Sequence, residues 1–151
     1  ACCRIPEGFD AHPHIRHLLR GRRRRLKEGY VDWALAEQLV FGSLLLEYTP
    51  AEGPVATGYY GRNERDIELT YVEHPACHVR LSGEDVERGT FNQRHSVIYD
   101  QETAVPHISV NDLQMGNQKD AVICNSTLSE LAILGFEYGY SLEEGMALTI
   151  W

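Results

Sequence analysis

The chain has 151 residues, enough for one hydrophobic core, and its 43% hydrophobic and 24% charged residues are typical of a soluble globular protein. Its formal net charge of -8 at pH 7 argues against a general affinity for nucleic acid. The sequence has no apolar run long enough to span a membrane, and its cysteines lack the CxxC spacing of a zinc or redox motif, which favours reduced thiols.

Residues 1–30 are rich in proline, histidine, glycine and arginine, and this composition predicts a linker that ends in a basic stretch. The basic residues of the stretch are Arg20, Arg22, Arg23, Arg24, Arg25 and Lys27. A run of this kind usually forms a solvated surface, and the alternative is a site that binds phosphate or nucleic acid. The histidines at positions 12, 14 and 17 have no accompanying ligand set, so solvated side chains are favoured over a metal site.

A helix is predicted from Val31 to Glu47, at the start of a second region that comprises residues 31–151. Asp32 is a suitable N-cap, and the leucines at positions 35, 39 and 44 recur on one helical face. Prolines and glycines then punctuate residues 48–77, a polar segment with little periodicity. This segment is predicted to be an inserted loop and the least ordered internal part of the chain, with an isolated strand at residues 67–72.

Short apolar segments alternate with turns and one helix in the rest of the chain. Strands are predicted at residues 78–82, 96–99, 121–124 and 146–151, and a helix at residues 128–142. On that helix Leu131, Leu134 and Tyr138 share one face. The strand–helix–strand order at the end of the chain implies parallel strands with a right-handed crossover. The predicted fold class is therefore α/β, with the first, third and last of these strands parallel in one sheet.

The turn that follows the strand at residues 78–82 is crowded with ionisable side chains. They are Glu84, Asp85, Glu87, Arg88, Arg94 and His95. Such a density of charge after a buried strand is costly unless the turn binds something polar or lies open to water. Ligands of open α/β sheets bind at the carboxyl ends of the strands, and so a binding site is expected at this turn.

Glu130 lies where the third predicted strand leads into the helix, and two interpretations of it remain open. In the first, Thr127 caps the helix and Glu130 reaches back to the cap amide, as in a capping box. In the second, the carboxylate is set among apolar neighbours and exchanges a proton with a ring nitrogen. Both interpretations place Glu130 near the carboxyl end of the sheet and near the turn at residues 83–89.

Three segments together carry a family resemblance: GEDVERGTFNQRH at 83–95, NSTLSELAILGFEYGYS at 125–141 and ALTIW at 147–151. They closely resemble the thiamin-diphosphate-dependent component of 2-oxoglutarate dehydrogenase, and its relatives that act on 2-oxoadipate are similar too. Residues 31–47 look like the helix that opens the family's transketolase-like pyrimidine-binding domain. The resemblance implies a partial domain of this kind with residues 48–77 inserted.

The resemblance implies that the parent protein oxidatively decarboxylates 2-oxoglutarate or 2-oxoadipate and transfers the acyl group to a lipoyl carrier. The glutamate of the family's LSE motif contacts the aminopyrimidine ring of the cofactor, which implies a catalytic role for Glu130. Further cofactor contacts are implied for Leu128, Glu84 and Asp85, and substrate contacts for His95 and Asp112. The family usually has a histidine where this chain has Asp112, and an aspartate there would repel a dicarboxylate.

The resemblance also implies a set of partners. The cofactor is thiamin diphosphate, with magnesium held by a domain that has no counterpart in this sequence, so no metal ligands are expected here. The partners are a 2-oxo acid, the lipoyl-bearing acyltransferase of the complex and a second copy in a homodimer, without nucleic acid or membrane. The expected location is the mitochondrial matrix in a eukaryote and otherwise the cytoplasm. We expect the isolated chain to be inactive, and the alternative function is a truncated, non-catalytic interaction or dimerisation module.

Overall fold

The computed structural model describes residues 3–47, 75–113 and 117–151. Within them the helices are α1 (Pro13–Lys27), α2 (Trp33–Leu44) and α3 (Glu130–Glu143), and a short 3₁₀ helix spans Ser109–Asp112. The strands are β1 (His78–Gly83), β2 (Val97–Tyr99), β3 (Pro106–Ile108), β4 (Ala121–Asn125) and β5 (Ala147–Ile150). The strand predicted at 67–72 and residues 48–74 of the predicted insertion lie outside the described residues.

A three-stranded sheet with the order β4-β1-β5 forms the centre of the fold, and both of its strand pairs are parallel. In its register Leu81 of β1 lies between Ile123 of β4 and Ile150 of β5. The helix α3 leads from β4 to β5 and packs against β1 and β5. The prediction of an α/β fold with three parallel strands in one sheet is therefore confirmed, and the carboxyl ends of all three strands lie at one edge.

The strand β1 presents different chemistry on its two faces, as the alternation of side chains along a strand requires. Val79 and Leu81 are buried in one hydrophobic core together with Phe41 and Leu45 from the region of α2. The next residues along the strand, Arg80 and Ser82, point the other way and contact α3. The sheet is therefore covered by α2 on an apolar face and by α3 on a face that contains buried charge.

The outer face of α3 carries the apolar residues that the sequence placed together. Leu131, Leu134 and Tyr138 share one side of the helix, but Leu131 is 81% exposed and the other two are also exposed. The residues that α3 buries are Ile133 and Glu137. The helix thus turns a carboxylate towards the sheet and leaves large apolar side chains on its outer surface.

The prediction of a linker at residues 1–30 is wrong for residues 13–27, because they form α1. Pro13 occupies the first turn, where its missing N–H costs nothing. Ile15, Leu18 and Leu19 follow helical spacing and pack into a second core, which also contains Leu35 of α2. Arginine is a good helix former, and its long side chains surround this apolar stripe without interrupting the helix.

Asp100 joins the loop before α1 to the turn after β2, and it is buried. Its Oδ2 accepts a hydrogen bond from the Asp10 amide at 2.7 Å, and its Oδ1 accepts from the amides of Glu102 and Thr103 at 3.0 and 2.8 Å. Backbone hydrogen bonds, chiefly those from Thr103 and Asp10, lower the pKa of Asp100 from 3.8 to about 2. The carboxylate form is therefore the one that the folded chain stabilises.

We expect Asp100→Asn to destabilise the protein at neutral pH and to matter less as the solution becomes acidic. Asparagine offers one carbonyl oxygen, so its amide nitrogen would face a backbone donor. Because the folded pKa is depressed, the carboxylate contributes stability above pH 3.8, and this contribution is lost as the pH falls towards 2. Urea denaturation between these pH values and neutrality should show that the unmodified protein has the larger free energy of unfolding, and that this difference shrinks as the pH falls. Glu102→Gln, at an exposed neighbouring position, is the control. A difference in the free energy of unfolding that does not change with pH would contradict the assignment.

No helix among the described residues combines the length and the apolar character needed to cross a membrane.

Candidate functional site

A cavity of about 550 Å³ opens at the edge of the sheet where the parallel strands end. Its wall combines the turn after β1, the start of α3, two side chains of α2 and the end of β5. The lining residues are Glu37, Phe41, Leu81, Gly83, Glu84, Asp85, Val86, Thr90, Phe91, Gln93, Arg94, Leu128, Ser129, Glu130, Ile133, Ile150 and Trp151. The cavity exists because parallel strands bring the loops after β1 and β4 to the same edge.

Four of the residues implicated by sequence lie together in this cavity: Glu84, Asp85, Leu128 and Glu130. The turn after β1 supplies the first two, and the residues at the start of α3 supply the others. The backbone amide of Ser126 donates to the carbonyl oxygen of Gly83 at 2.8 Å, which joins the two segments directly. The parallel topology thus places residues that are far apart in sequence on one wall.

Glu130 is the first residue of α3, and its carboxylate is exposed to the cavity. The N-cap is Ser129, whose Oγ accepts from the amide of Ala132 at 3.3 Å. The predicted capping box of Thr127 and Glu130 is therefore wrong, because the helix begins two residues later than that box requires. Within the described part of the chain, the Glu130 carboxylate has no hydrogen-bond or ion-pair partner.

The surroundings of Glu130 combine a carboxylate with apolar side chains. Leu128 and Ile133 line the same cavity and contribute apolar surface to it. The N-terminus of α3 carries a partial positive charge, as at the start of any α-helix. A carboxylate so placed can bind an N–H group or exchange a proton with a ring nitrogen.

The turn after β1 owes its shape to unusual backbone angles. Gly83 has a φ of +152°, and a Cβ atom there would lie 3.1 Å from Cγ1 of Val86. Gly89 has a φ of +87°, and a Cβ atom there would overlap the side chain of Gln93. Between them Asp85, with a φ of 55°, accepts a hydrogen bond from Arg88 at 2.9 Å. Glycines at these two positions allow the acidic residues to follow the strand directly.

An ion pair that sequence reasoning missed attaches this turn to α2. Arg94 donates to both carboxylate oxygens of Glu37, at 2.5 and 3.1 Å, and through Nη1 to the carbonyl oxygen of Val86 at 2.8 Å. Both side chains line the cavity and are largely buried. The bidentate geometry fixes the planes of both groups, and the positive charge of Arg94 balances the negative charge of Glu37 at the wall. No local signal pairs these residues, because they are 57 positions apart.

A second arginine holds the same turn from α1. Nη2 of Arg22 donates to the carbonyl oxygens of Gln93 and Arg94, both at 2.7 Å, and Nη1 donates to Gln38 at 3.3 Å. Only 1% of Arg22 is exposed, so the prediction of a solvated basic surface is wrong for this residue. Arg22 lies four residues after Leu18 and three after Leu19, which places it on the buried stripe of α1. This spacing could have predicted its burial from the sequence.

The other two residues implicated by sequence do not line the cavity. His95 lines a separate cavity of about 330 Å³, and its Nε2 lies 3.1 Å from the carbonyl oxygen of Asn92. Burial lowers the pKa of His95 below 6.5. Asp112 ends the 3₁₀ helix, about half exposed, with Oδ2 3.7 Å from Nδ1 of His107. Neither His95 nor Asp112 lines the cavity that contains Glu130, although Asp85 lines both that cavity and the one with His95.

Metal-binding side chains do not cluster in the described parts of the chain. Across residues 3–47, 75–113 and 117–151, no group of three or more histidine, cysteine, aspartate or glutamate side chains is arranged to hold a metal ion.

Comparison with known proteins gives one family and a consistent set of relatives. Residues 73–151, slightly more than half of the chain, match the family described as "Transketolase, pyrimidine binding domain". The chain is 41% identical over 148 residues to the 2-oxoglutarate dehydrogenase E1 component of Brucella anthropi. It is 41% identical over 147 residues to the mitochondrial 2-oxoglutarate dehydrogenase of Caenorhabditis elegans, and 42% identical over 148 residues to that of Schizosaccharomyces pombe. Each match covers 97% of this chain and 12% of the relative.

Proposed function

The chain belongs to the transketolase pyrimidine-binding domain family, and on that premise we propose that it forms the pyrimidine-binding half of a thiamin-diphosphate site in a 2-oxo acid dehydrogenase. The observation that carries the proposal is the position of Glu130. An exposed carboxylate without a partner among the described residues begins α3 and lines the cavity at the carboxyl edge of the sheet. The relatives are named as 2-oxoglutarate dehydrogenases. The proposed reaction of the parent protein is oxidative decarboxylation of 2-oxoglutarate, and the resemblance of the sequence adds 2-oxoadipate as the alternative substrate.

The residues of the cavity fit the aminopyrimidine ring of this cofactor. Glu130 would bind the ring nitrogen and exchange a proton with it, while Leu128 would pack against the face of the ring. Glu84 and Asp85 would accept hydrogen bonds at the polar rim of the ring. When bound, thiamin diphosphate supplies the electron sink through which a 2-oxo acid loses carbon dioxide. The proposal assigns the diphosphate and its magnesium ion to another domain of the parent protein.

Substrate binding by His95 and Asp112 stays a prediction that the geometry supports less well. Neither residue lines the cavity that contains Glu130. An aspartate at position 112 would also repel the second carboxylate of 2-oxoglutarate or 2-oxoadipate. The proposal therefore assigns catalysis to Glu130 and leaves the substrate-binding residues to be identified by experiment.

The parent protein is proposed to act as a homodimer and to transfer its acyl group to the lipoyl-bearing acyltransferase of the complex. The exposed apolar side chains of α3, with Leu131 81% and Tyr138 66% exposed, support an interface at this surface. The same surface would serve a non-catalytic interaction module, which is the alternative function. The proposed location is the mitochondrial matrix in a eukaryote, as for the relatives named mitochondrial, and otherwise the cytoplasm.

The test of this function uses a complete protein that carries this segment, supplied with thiamin diphosphate and magnesium. Release of carbon dioxide is measured with 2-oxoglutarate and with 2-oxoadipate, in the presence of an artificial electron acceptor. We expect turnover of at least one of the two acids and dependence on added thiamin diphosphate. A complete protein that dimerises but turns over neither acid would support the non-catalytic interaction module instead.

A further inference from the structure

A second cavity, of about 380 Å³, lies between α1 and the loop that precedes it. Its lining residues are Cys3, Arg4, Ile5, Arg16, Leu19, Arg20 and Arg23. Four of these seven carry a guanidinium group, and no carboxylate from the described residues is among them. Such a concentration of positive charge stands out in a chain whose net charge is -8.

Helical geometry brings most of these arginines together. Arg16, Arg20 and Arg23 lie four and then three residues apart, so α1 places them on the same face. Arg4 comes from the segment that precedes α1. Leu19, a buried member of the second core, provides apolar surface beneath the guanidinium groups. The cavity therefore combines a rigid helical wall, a charged rim and an apolar base.

One of the four arginines is already held in place by the chain. Arg16 donates through Nε to the carbonyl oxygen of Ala11 at 2.8 Å. Its Nη2 donates to the carbonyl oxygen of Phe9 at 3.2 Å and to Oδ1 of Asp10 at 3.0 Å. These contacts fix the plane of the guanidinium group before any ligand binds, which lowers the entropy cost of binding.

The remaining arginines of the cavity differ from their neighbours on α1. Arg25 is paired with Asp32 at 2.7 Å, and Arg24 lies 3.9 Å from Glu28. Arg4, Arg20 and Arg23 are exposed and have no such partner within the described part of the chain. Among the described residues, Arg16 is paired with Asp10, whereas Arg4, Arg20 and Arg23 remain available to a ligand.

We propose that this cavity binds a small molecule that carries phosphate. Guanidinium groups match phosphate oxygens in geometry and stay charged at all physiological pH values, and a multiply charged anion would offset their mutual repulsion. A volume of about 380 Å³ is in the range of small-molecule sites, and Ile5 and Leu19 would contact the organic part of the ligand. This site is separate from the Glu130 cavity, and the inference does not depend on the proposed enzyme.

The test measures binding of inorganic pyrophosphate and of a nucleoside monophosphate to the purified chain by isothermal titration calorimetry, at low and at physiological salt. We expect saturable binding that weakens with salt. The double variant Arg20→Gln/Arg23→Gln should bind at least about tenfold more weakly, since each charge-assisted hydrogen bond is worth roughly a factor of ten. The control Arg24→Gln/Lys27→Gln removes the same charge from the same helix without altering the cavity wall, and it should bind almost as the unmodified chain does.

The outcomes separate the possible ligands and decide the proposal. Tighter binding of the nucleoside monophosphate supports a phosphorylated organic ligand, and equal binding of the two probes supports recognition of the phosphate group alone. Absence of saturable binding, equal weakening in both double variants, or binding of an RNA oligonucleotide without either small probe would overturn the proposal. If thermal melting shows that Arg20→Gln/Arg23→Gln is less stable than its control, Arg4→Gln repeats the comparison from the loop side of the cavity.

Discussion

Replacing Glu130 with glutamine is expected to remove most of the decarboxylation activity of the complete enzyme while leaving its fold as stable as before. Glutamine keeps the length and polarity of the side chain, but it cannot exchange a proton with a ring nitrogen. Loss of such general acid–base catalysis costs about 10²- to 10⁴-fold in rate. The measurement is carbon dioxide release at saturating thiamin diphosphate, magnesium and 2-oxo acid, with urea denaturation of the same preparation.

The stability of Glu130→Gln should change little, because the carboxylate has no partner among the described residues. Its interaction with the N-terminus of α3 is worth about 0.3–1 kcal/mol at an exposed position. Glu143→Gln is the matched control, since Glu143 is an exposed glutamate at the other end of the same helix. We expect that variant to keep its activity. Near-normal turnover by Glu130→Gln would leave the residue only a role at the helix N-terminus and would refute the catalytic assignment.

Removing the carboxylate of Glu137 should destabilise the fold more than any change to the exposed residues of α3. Arg80 donates to Glu137 through Nε at 2.8 Å and through Nη2 at 2.9 Å, and Oγ of Ser82 donates to it at 2.5 Å. The hydrogen bond with Glu137 raises the pKa of Arg80, so the guanidinium group stays charged. The central carbon of the Arg80 guanidinium group, Cζ, lies 4.7 Å from the ring centroid of Tyr140, a favourable cation–π distance.

Glu137→Ala would leave Arg80 without its counter-ion and Ser82 without its acceptor at a buried position. Breaking one side of a buried ion pair costs about 3–5 kcal/mol, and we expect a loss of this size in urea denaturation at pH 7. The control Glu143→Ala removes an exposed carboxylate from the same helix and should cost much less. The double variant Arg80→Met/Glu137→Met, which removes both charges, should recover part of the loss. Equal losses for Glu137→Ala and Glu143→Ala would show that the ion pair contributes nothing to stability.

The sequence predicted the sheet and the position of Glu130 because both depend on local patterns and on parallel topology. Apolar strands such as residues 78–82 are recognisable from composition, and a parallel sheet brings their carboxyl ends to one edge. Glu84 and Glu130 were placed together on this argument, and they line one cavity. Their chemical roles rest on the resemblance and await the experiments above.

The contacts that hold the cavity wall were not predictable in the same way. Arg22 and Arg94 make their hydrogen bonds to residues that are distant in sequence, so no spacing rule identifies the partners. The start of α3 was misplaced because Thr127 and Ser129 are both suitable N-caps. The amide of Leu128 donates to Oγ of Ser126, so this residue lies in a local turn before the helix begins. Apolar periodicity placed Leu131, Leu134 and Tyr138 on one face of α3, but it could not show that this face is exposed and that Glu137 is buried through its ion pair.

The hydrogen bonds from Arg22 to the turn after β1 also redefine where this domain begins. The family match starts at residue 73, yet the carbonyl oxygens of Gln93 and Arg94 accept from a side chain some fifty positions upstream of that boundary. A truncation at the boundary would leave these acceptors without their donor and would strip the second core of Leu19 and Leu35. The segment that the family match covers is therefore shorter than the physical unit that supports the cavity, whereas the matches to the relatives cover 97% of the chain. Any minimal expression fragment should include α1.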